Sequence, residues 1–152
     1  LGYLTDDVKA LLRASGFPGM KVLQFAFDSR EESDYLPHNY TQNSVVYTGT
    51  HDNTTTEDWE LSAPAGDVAF ARRYLDVEGG ADFTRRFIRA ALASVSDTAV
   101  IPMPDWLGLG AEARINTPST LGGNWLWRMD PAALTDALAA DILALTKLYG
   151  RC

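Results

Sequence analysis

The pattern of apolar and polar positions changes period several times along the chain. Thr5-Asp6-Asp7-Val8 sets a capping hydroxyl ahead of acidic residues, and Val8, Leu11 and Leu12 recur at helical spacing until Gly16-Phe17-Pro18-Gly19 breaks the run. That predicts a short amphipathic helix. Met20 to Phe27 is nearly continuous in apolar, strand-forming residues, which predicts a buried parallel strand rather than a half-wet one. Asp28 to Asn43 is polar, broken by Pro37 and acidic at Asp28, Glu31, Glu32 and Asp34, and reads as a long surface loop. Ser44 to Gly49 is short and β-branched, a second buried strand, and runs directly into the polar cluster Thr50 to Thr56.

Two helices follow, Asp67 to Leu75 and Asp82 to Leu92, each opening on an Asp, separated by Gly79-Gly80 and carrying arginines on their expected wet faces. Thr98 to Pro104 is a third short apolar strand closed by its prolines, followed by Asp105-Trp106 and the turn Leu107-Gly108-Leu109-Gly110. Ala111 to Arg128 is irregular. A last helix is expected from Asp130-Pro131, with Leu134, Leu138, Ile142 and Leu145 on one face, Lys147 near its end and Gly150 as its stop. Helix, strand, loop, strand, two helices, strand, helix is an α/β order that suggests parallel strands with flanking helices. In such sheets chemistry gathers just past the C-terminal ends of the strands, where His51-Asp52-Asn53 and Asp105-Trp106 lie.

Composition narrows the partners. The 152 residues are 46% hydrophobic and 22% charged, enough for one sizeable core. Thirteen Lys+Arg against twenty Asp+Glu give a formal charge of −7, which repels phosphate and argues against nucleic acid. The longest apolar runs, such as Ala90 to Ala93, fall far short of the roughly 20 residues of a membrane span. Cys152 is the only cysteine, so an internal disulfide and a Cys-based metal site are excluded, and a cytoplasmic location is expected. Leu1-Gly2-Tyr3-Leu4 has no initiator Met and reads as the interior of something longer.

Asp52 stands between His51 and Asn53 directly after a strand, where a carboxylate can face a cleft beside groups that hydrogen-bond sugar hydroxyls. The competing reading is a loop cap, since Asp, Asn and Thr satisfy backbone donors in such turns. Asp105-Trp106 could offer an indole to a pyranose ring, although packing is the favoured role for a Trp in that place. His38 and His51 lack the spacing and the supporting Glu of a zinc protease, so no metal is expected. There is no Gly-x-Ser-x-Gly for acyl transfer and no Gly-Lys-Ser/Thr phosphate loop, and Gly108-Leu109-Gly110 lacks the third glycine of a dinucleotide fingerprint. No cofactor is expected.

Several segments together resemble one family. Pro18 to Phe27, Leu36-Pro37-His38-Asn39, Tyr47-Thr48-Gly49-Thr50-His51-Asp52-Asn53, Leu107-Gly108-Leu109-Gly110 with Glu112-Ala113-Arg114, Asn116 and Pro118, and Gly123-Asn124-Trp125 with Trp127-Arg128 are similar to the 4-alpha-glucanotransferases called amylomaltases or disproportionating enzymes. The likeness runs in one order from Leu1 to the last helix. It implies a starch-active (β/α)8 TIM barrel that moves 1,4-alpha-glucan segments between acceptor sugars with retention at the anomeric carbon. Retention takes two carboxyl groups about 5 Å apart, one a nucleophile and one an acid then base. A third carboxylate in the His-Asp motif binds the donor sugar and stabilises the oxocarbenium-like state. By motif match that residue is Asp52, with His51 at the same sugar, and Asn53, Arg114 and Asn116 are substrate or support residues.

The resemblance also implies what lies elsewhere. The family's nucleophile falls upstream of the matched region and its acid/base Glu just before Leu1-Gly2, so residues 1–152 are expected to be the last three βα units of the catalytic barrel, a single domain or fragment inactive on its own. A full barrel takes about 250 residues. Three strands cut from it leave two open edges and apolar faces, so association is expected, as a homo-oligomer through strand edges or with the N-terminal part of the barrel. The alternative function is a non-catalytic alpha-glucan-binding module. Hydrolysis in place of transfer by the parent is a third reading. If the chain transfers sugar by itself, Asp28, Asp105 and Glu112 are the carboxylates in which to seek a nucleophile.

Overall fold

The computed structural model describes residues 5–30, 33–77 and 82–152. The first helix, α1 (Asp6–Ser15), is stopped by Gly16 in the left-handed region at φ 72. Strand β1 (Gly19–Val22) and strand β2 (Ser44–Tyr47) pair in parallel with Gly19 opposite Ser44. Helices α2 (Thr56–Ser62), α3 (Ala65–Tyr74) and α4 (Phe83–Ala93) precede β3 (Thr98–Val100), which pairs in parallel with β2. A short helix α5 (Met103–Trp106) and the long helix α6 (Asp136–Leu148) complete the chain. The sheet order is β1-β2-β3, and its strands are parallel, as the alternation of elements predicts.

The sequence reading placed several boundaries differently. The first strand stops at Val22, not Phe27, and Leu23–Phe25 form a 3-10 turn. After the turn the run keeps its burial without the ladder, because Leu23, Ala26 and Phe27 enter the core while Gln24 N bonds Thr48 O at 3.2 Å. Helix α2, which the pattern of apolar residues did not reveal, starts because the Thr55 hydroxyl caps the Asp58 amide at 3.2 Å. Helix α6 begins at Asp136 rather than Asp130. Asp130 caps only the 3-10 turn Pro131–Ala133, and Thr135 caps the helix proper, leaving Leu134 outside it and exposed. Glu31, Glu32 and the Gly79-Gly80 separator lie outside the described residues.

Phe27 is the hub of the main core, with the rings of Tyr74, Phe87, Phe70 and Trp59 at centroid distances of 5.6, 5.5, 5.9 and 6.2 Å. Burial of such a ring contributes about 1.5–3 kcal/mol. Helix α4 contributes Phe83, Phe87 and Ala91 to this core and Ile88 and Leu92 to a second apolar cluster with Leu145. The arginines of these helices are not simply a wet face: Arg72 pairs with Glu60, and Arg85 pairs with Asp141 of α6 while lying over Trp106. Arg151 closes the C-terminal end of α4, donating to the carbonyls of Leu92, Ser94 and Ser96 at 2.7, 2.8 and 3.0 Å.

The strands are not buried on both faces. Val46 and Ala99 face the helices, whereas Met20 and Val100, which the register places on the other face, are each 40% exposed. Among the described residues the helices cover one side of the sheet, and on the other side Met20 and Val100 stay partly open although Val22, in register with Tyr47 and Val100, is fully buried.

Candidate active-site segment

The strands deliver their C-terminal ends to one region. Thr48, fully buried after β2, is followed by Gly49, where a Cβ would lie 2.8 Å from Gln24 Nε2 and 3.3 Å from Asn53 Cβ. The Gln24 amide in turn donates to Thr54 O at 2.9 Å. The next four residues close on themselves: Asn53 Oδ1 accepts from Thr50 N at 3.0 Å and Thr50 Oγ1 at 2.8 Å, and Asn53 N donates to Thr50 O at 3.1 Å. Asn53 therefore performs the loop-capping role, which frees Asp52 from it.

His51 and Asp52 project from this closed turn, with side chains 52% and 51% exposed and His51 Nε2 3.2 Å from Asp52 Oδ1. Two residues from the irregular segment after α5 fix the turn from the side. Asn116 Nδ2 donates to Asp52 Oδ1 at 2.7 Å and its backbone N–H to His51 O at 3.1 Å. Arg114 Nη2 donates to Asp52 O at 2.8 Å and Nε to Asn116 O at 3.0 Å. All five residues singled out in the sequence thus come together, four in direct contact and Asn53 as the closure of the turn beneath them. Asp52 Oδ2 accepts no hydrogen bond from a described residue, so one carboxylate oxygen is anchored and one is open.

One participant was missed. Trp125 lies over His51 with ring centroids 5.0 Å apart and planes 37° apart, and it is 56% exposed. The signal was a glycine pair ahead of an aromatic residue, Gly122-Gly123-Asn124-Trp125, inside a polar loop. Trp106 instead packs against the second apolar cluster formed by Ile88, Leu92 and Leu145, the packing role favoured for it.

The other carboxylates are elsewhere engaged. Asp105 is 4% exposed and accepts from Thr48 Oγ1 and, at 2.8 Å, from Thr56 N, so it ties the end of β2 to the start of α2. Burial raises its pKa above the usual carboxylate range, against the opposing pull of those hydrogen bonds. Arg30, hydrogen-bonded to Asp28, lowers that carboxyl to about 2. Glu112 accepts from Gly110 N at 2.9 Å. His38 meets the Tyr74 hydroxyl at 2.9 Å, away from His51, and no group of three His, Cys, Asp or Glu that could hold a metal occurs among the described residues.

A carboxylate with one anchored and one open oxygen, beside an imidazole and an exposed indole, is suited to the hydroxyls and flat face of a sugar. Residues 1–135 match the family described as 4-alpha-glucanotransferase, Glyco_hydro_77. The chain belongs to the 4-alpha-glucanotransferase family. It is 44% identical over 153 residues to the 4-alpha-glucanotransferase of Clostridium butyricum, covering 100% of this chain and 31% of that protein. With the chloroplastic/amyloplastic 4-alpha-glucanotransferase DPE1 of Arabidopsis thaliana it shares 44% identity over 154 residues, 99% of this chain and 27% of the relative. Among solved structures, an amylomaltase from Streptococcus agalactiae in complex with acarbose superposes with a TM-score of 0.93 at 38% identity, covering 99% of this chain and 31% of that one. The parallel sheet and its helices are therefore part of a 4-alpha-glucanotransferase TIM barrel, and the chain spans about a third or less of the relatives it matches.

Proposed function

We propose that this chain carries the donor-sugar side of a retaining 4-alpha-glucanotransferase active site, acting on maltooligosaccharides or other 1,4-alpha-glucans. The observation that carries the reading is the asymmetric anchoring of Asp52. Asn116 and His51 hold Oδ1, so Oδ2 meets the ligand at a fixed position and can accept hydrogen bonds from two sugar hydroxyls. As the bond to the anomeric carbon breaks and positive charge develops on the ring, the same carboxylate supplies a negative charge that needs no reorganisation. His51 offers a ring N–H to the same sugar, and Arg114 and Asn116 act as supports.

Glycosyl transfer with retention takes two further roles, a nucleophile and an acid/base about 5 Å apart. Asp52 is the one carboxylate of the described cluster, and Asp28, Asp105 and Glu112 are held elsewhere. The segment by itself binds glucan without transferring it, and the activity belongs to the larger assembly. Its open sheet face is covered by the rest of the barrel or by a second copy of the chain. The cytoplasm is the proposed compartment. The single cysteine at position 152 supports it, although the chloroplastic names of plant relatives show that the family extends beyond it.

The test is incubation of the purified chain with maltotriose at high protein concentration, with glucose release and equilibrium binding measured side by side and Asp52→Ala as control. No glucose release, together with binding that Asp52→Ala abolishes, is expected. Glucose release lost in Asp52→Ala overturns the inactive-segment reading, and undetectable binding by the unsubstituted chain overturns the sugar-site reading.

A further inference from the structure

Trp125 has a backbone that an L-residue rarely adopts. Its φ is 62, in the left-handed region, in a loop where Gly122 at φ 79 and Gly123 at φ 74 take the same region without a Cβ to oppose it. Such a conformation persists in a bulky residue only where its surroundings over-determine it. Here they do. The Trp125 N–H donates to Ile115 O at 2.7 Å, and Arg128 Nη1 donates to Trp125 O at 3.1 Å. Asn124 Oδ1 accepts from Thr117 N at 2.8 Å while its Nδ2 donates to Thr120 Oγ1 at 3.0 Å. The loop from Thr117 to Trp125 is thereby closed at both ends, and Ile115 joins it to Asn116, the residue that anchors Asp52.

The strained turn brings the indole to 5.0 Å from the His51 imidazole. An imidazole 52% exposed at the tip of a turn otherwise has rotamer freedom, and an aromatic contact on one face removes much of it. Trp125 is still 56% exposed, next to a His51 whose Nε2 lies 3.2 Å from Asp52 Oδ1.

We propose that Trp125 acts on two sides: as a positioning residue that holds the His51 ring against Asp52 Oδ1, and as the apolar surface on which a neutral pyranose of the bound glucan rests. The second role rests on the reading of Asp52 as a glucan-binding carboxylate; the first does not. The left-handed backbone is what aims the indole at His51, and the clasp of Asn124 maintains it.

The chain contains two histidines, so the test is direct. The Cε1–H signals of His51 and His38 are recorded by NMR in the free chain, assigned with His38→Gln, and followed during titration with maltotriose. The ring current of Trp125 displaces the His51 signal from the free-histidine position in the unsubstituted chain. Trp125→Phe keeps a displacement, whereas Trp125→Gly, which relaxes the backbone while removing the ring, returns His51 to the free position. The His38 signal, set by its contact with Tyr74, stays constant and reports that the fold is intact. Loss of the stacking surface weakens maltotriose binding by about tenfold in Trp125→Gly and less in Trp125→Phe.

A His51 signal at the free position in the unsubstituted chain, or one unmoved in Trp125→Gly with His38 unchanged, overturns the positioning role. Unaltered maltotriose affinity in Trp125→Gly overturns the stacking role. If the unsubstituted chain binds no maltotriose, the glucan reading and the stacking role fall together, and the free-chain His51 signal still decides the positioning role.

Discussion

Asn116 Nδ2 donates to Asp52 Oδ1 over 2.7 Å although the two residues are 64 apart in sequence. The contact closes the loop after the second strand against the segment that follows the third, and it selects which carboxylate oxygen is open. A charge-assisted hydrogen bond of this kind contributes about 1.5–3 kcal/mol. Asn116→Ala is expected to weaken maltotriose binding by about tenfold, read by calorimetry, at the 1.4 kcal/mol that corresponds to one decade. Asn116→Asp places a second carboxylate beside Asp52. The amide donor is lost and the two carboxylates repel, so its maltotriose binding should be weaker than that of Asn116→Ala, and equal or tighter binding would contradict the geometry.

Gly49 is required by space, not by backbone angle. A methyl group there meets the buried Gln24 amide at 2.8 Å, and that amide is engaged with Thr54 O. Gly49→Ala should lower stability by about 1–3 kcal/mol, typical of forced repacking, and urea denaturation measures it. The same variant displaces the turn that carries His51 and Asp52, so maltotriose binding should fall with it.

Asp105 predicts an unusual pH dependence. Its folded-state pKa is raised by burial, so the folded chain binds a proton that the unfolded chain has already released. Stability then decreases as pH rises from the ordinary carboxylate value through the raised one, the reverse of a salt-bridged Asp. In Asp105→Asn the side-chain oxygen can accept from Thr56 N and the amide can donate to Thr48 Oγ1, with no titration. The stability of the unsubstituted chain relative to Asp105→Asn should fall as the pH rises above about 4, the ordinary carboxylate value. Urea unfolding at several pH values checks this, and a difference that is constant or grows with pH would sink it.

The uncovered sheet face predicts association. Met20 and Val100 expose apolar surface on that face, and β1 and β3 present free edges among the described residues. Light scattering coupled to size-exclusion chromatography should report a mass above that of one chain. Met20→Lys and Val100→Lys together should shift it toward monomer, and a monodisperse monomer of the unsubstituted chain would contradict the expectation.

The sequence by itself determined what is local. The order of the strands and the longer helices follows from the period of apolar residues, and the parallel sheet follows from that order, whereas the short helices α2 and α5 leave no such signal. The position of His51-Asp52-Asn53 after a strand is equally local, and short motifs spread along the whole chain carried the family resemblance. Tertiary structure decided whatever depends on residues far apart. The apolar run to Phe27 leaves the sheet at Val22 because the core, not the ladder, claims its last residues. Asp105 and Asp52 look alike in sequence, each polar after a strand, yet Thr48 and the α2 N-terminus enclose the first while the second stays half in water. Trp106 and Trp125 likewise divide between core and site. The physical reason is common to all three: burial and hydrogen-bond satisfaction are set by which distant segments meet, and a period of two or 3.6 residues carries no information about that.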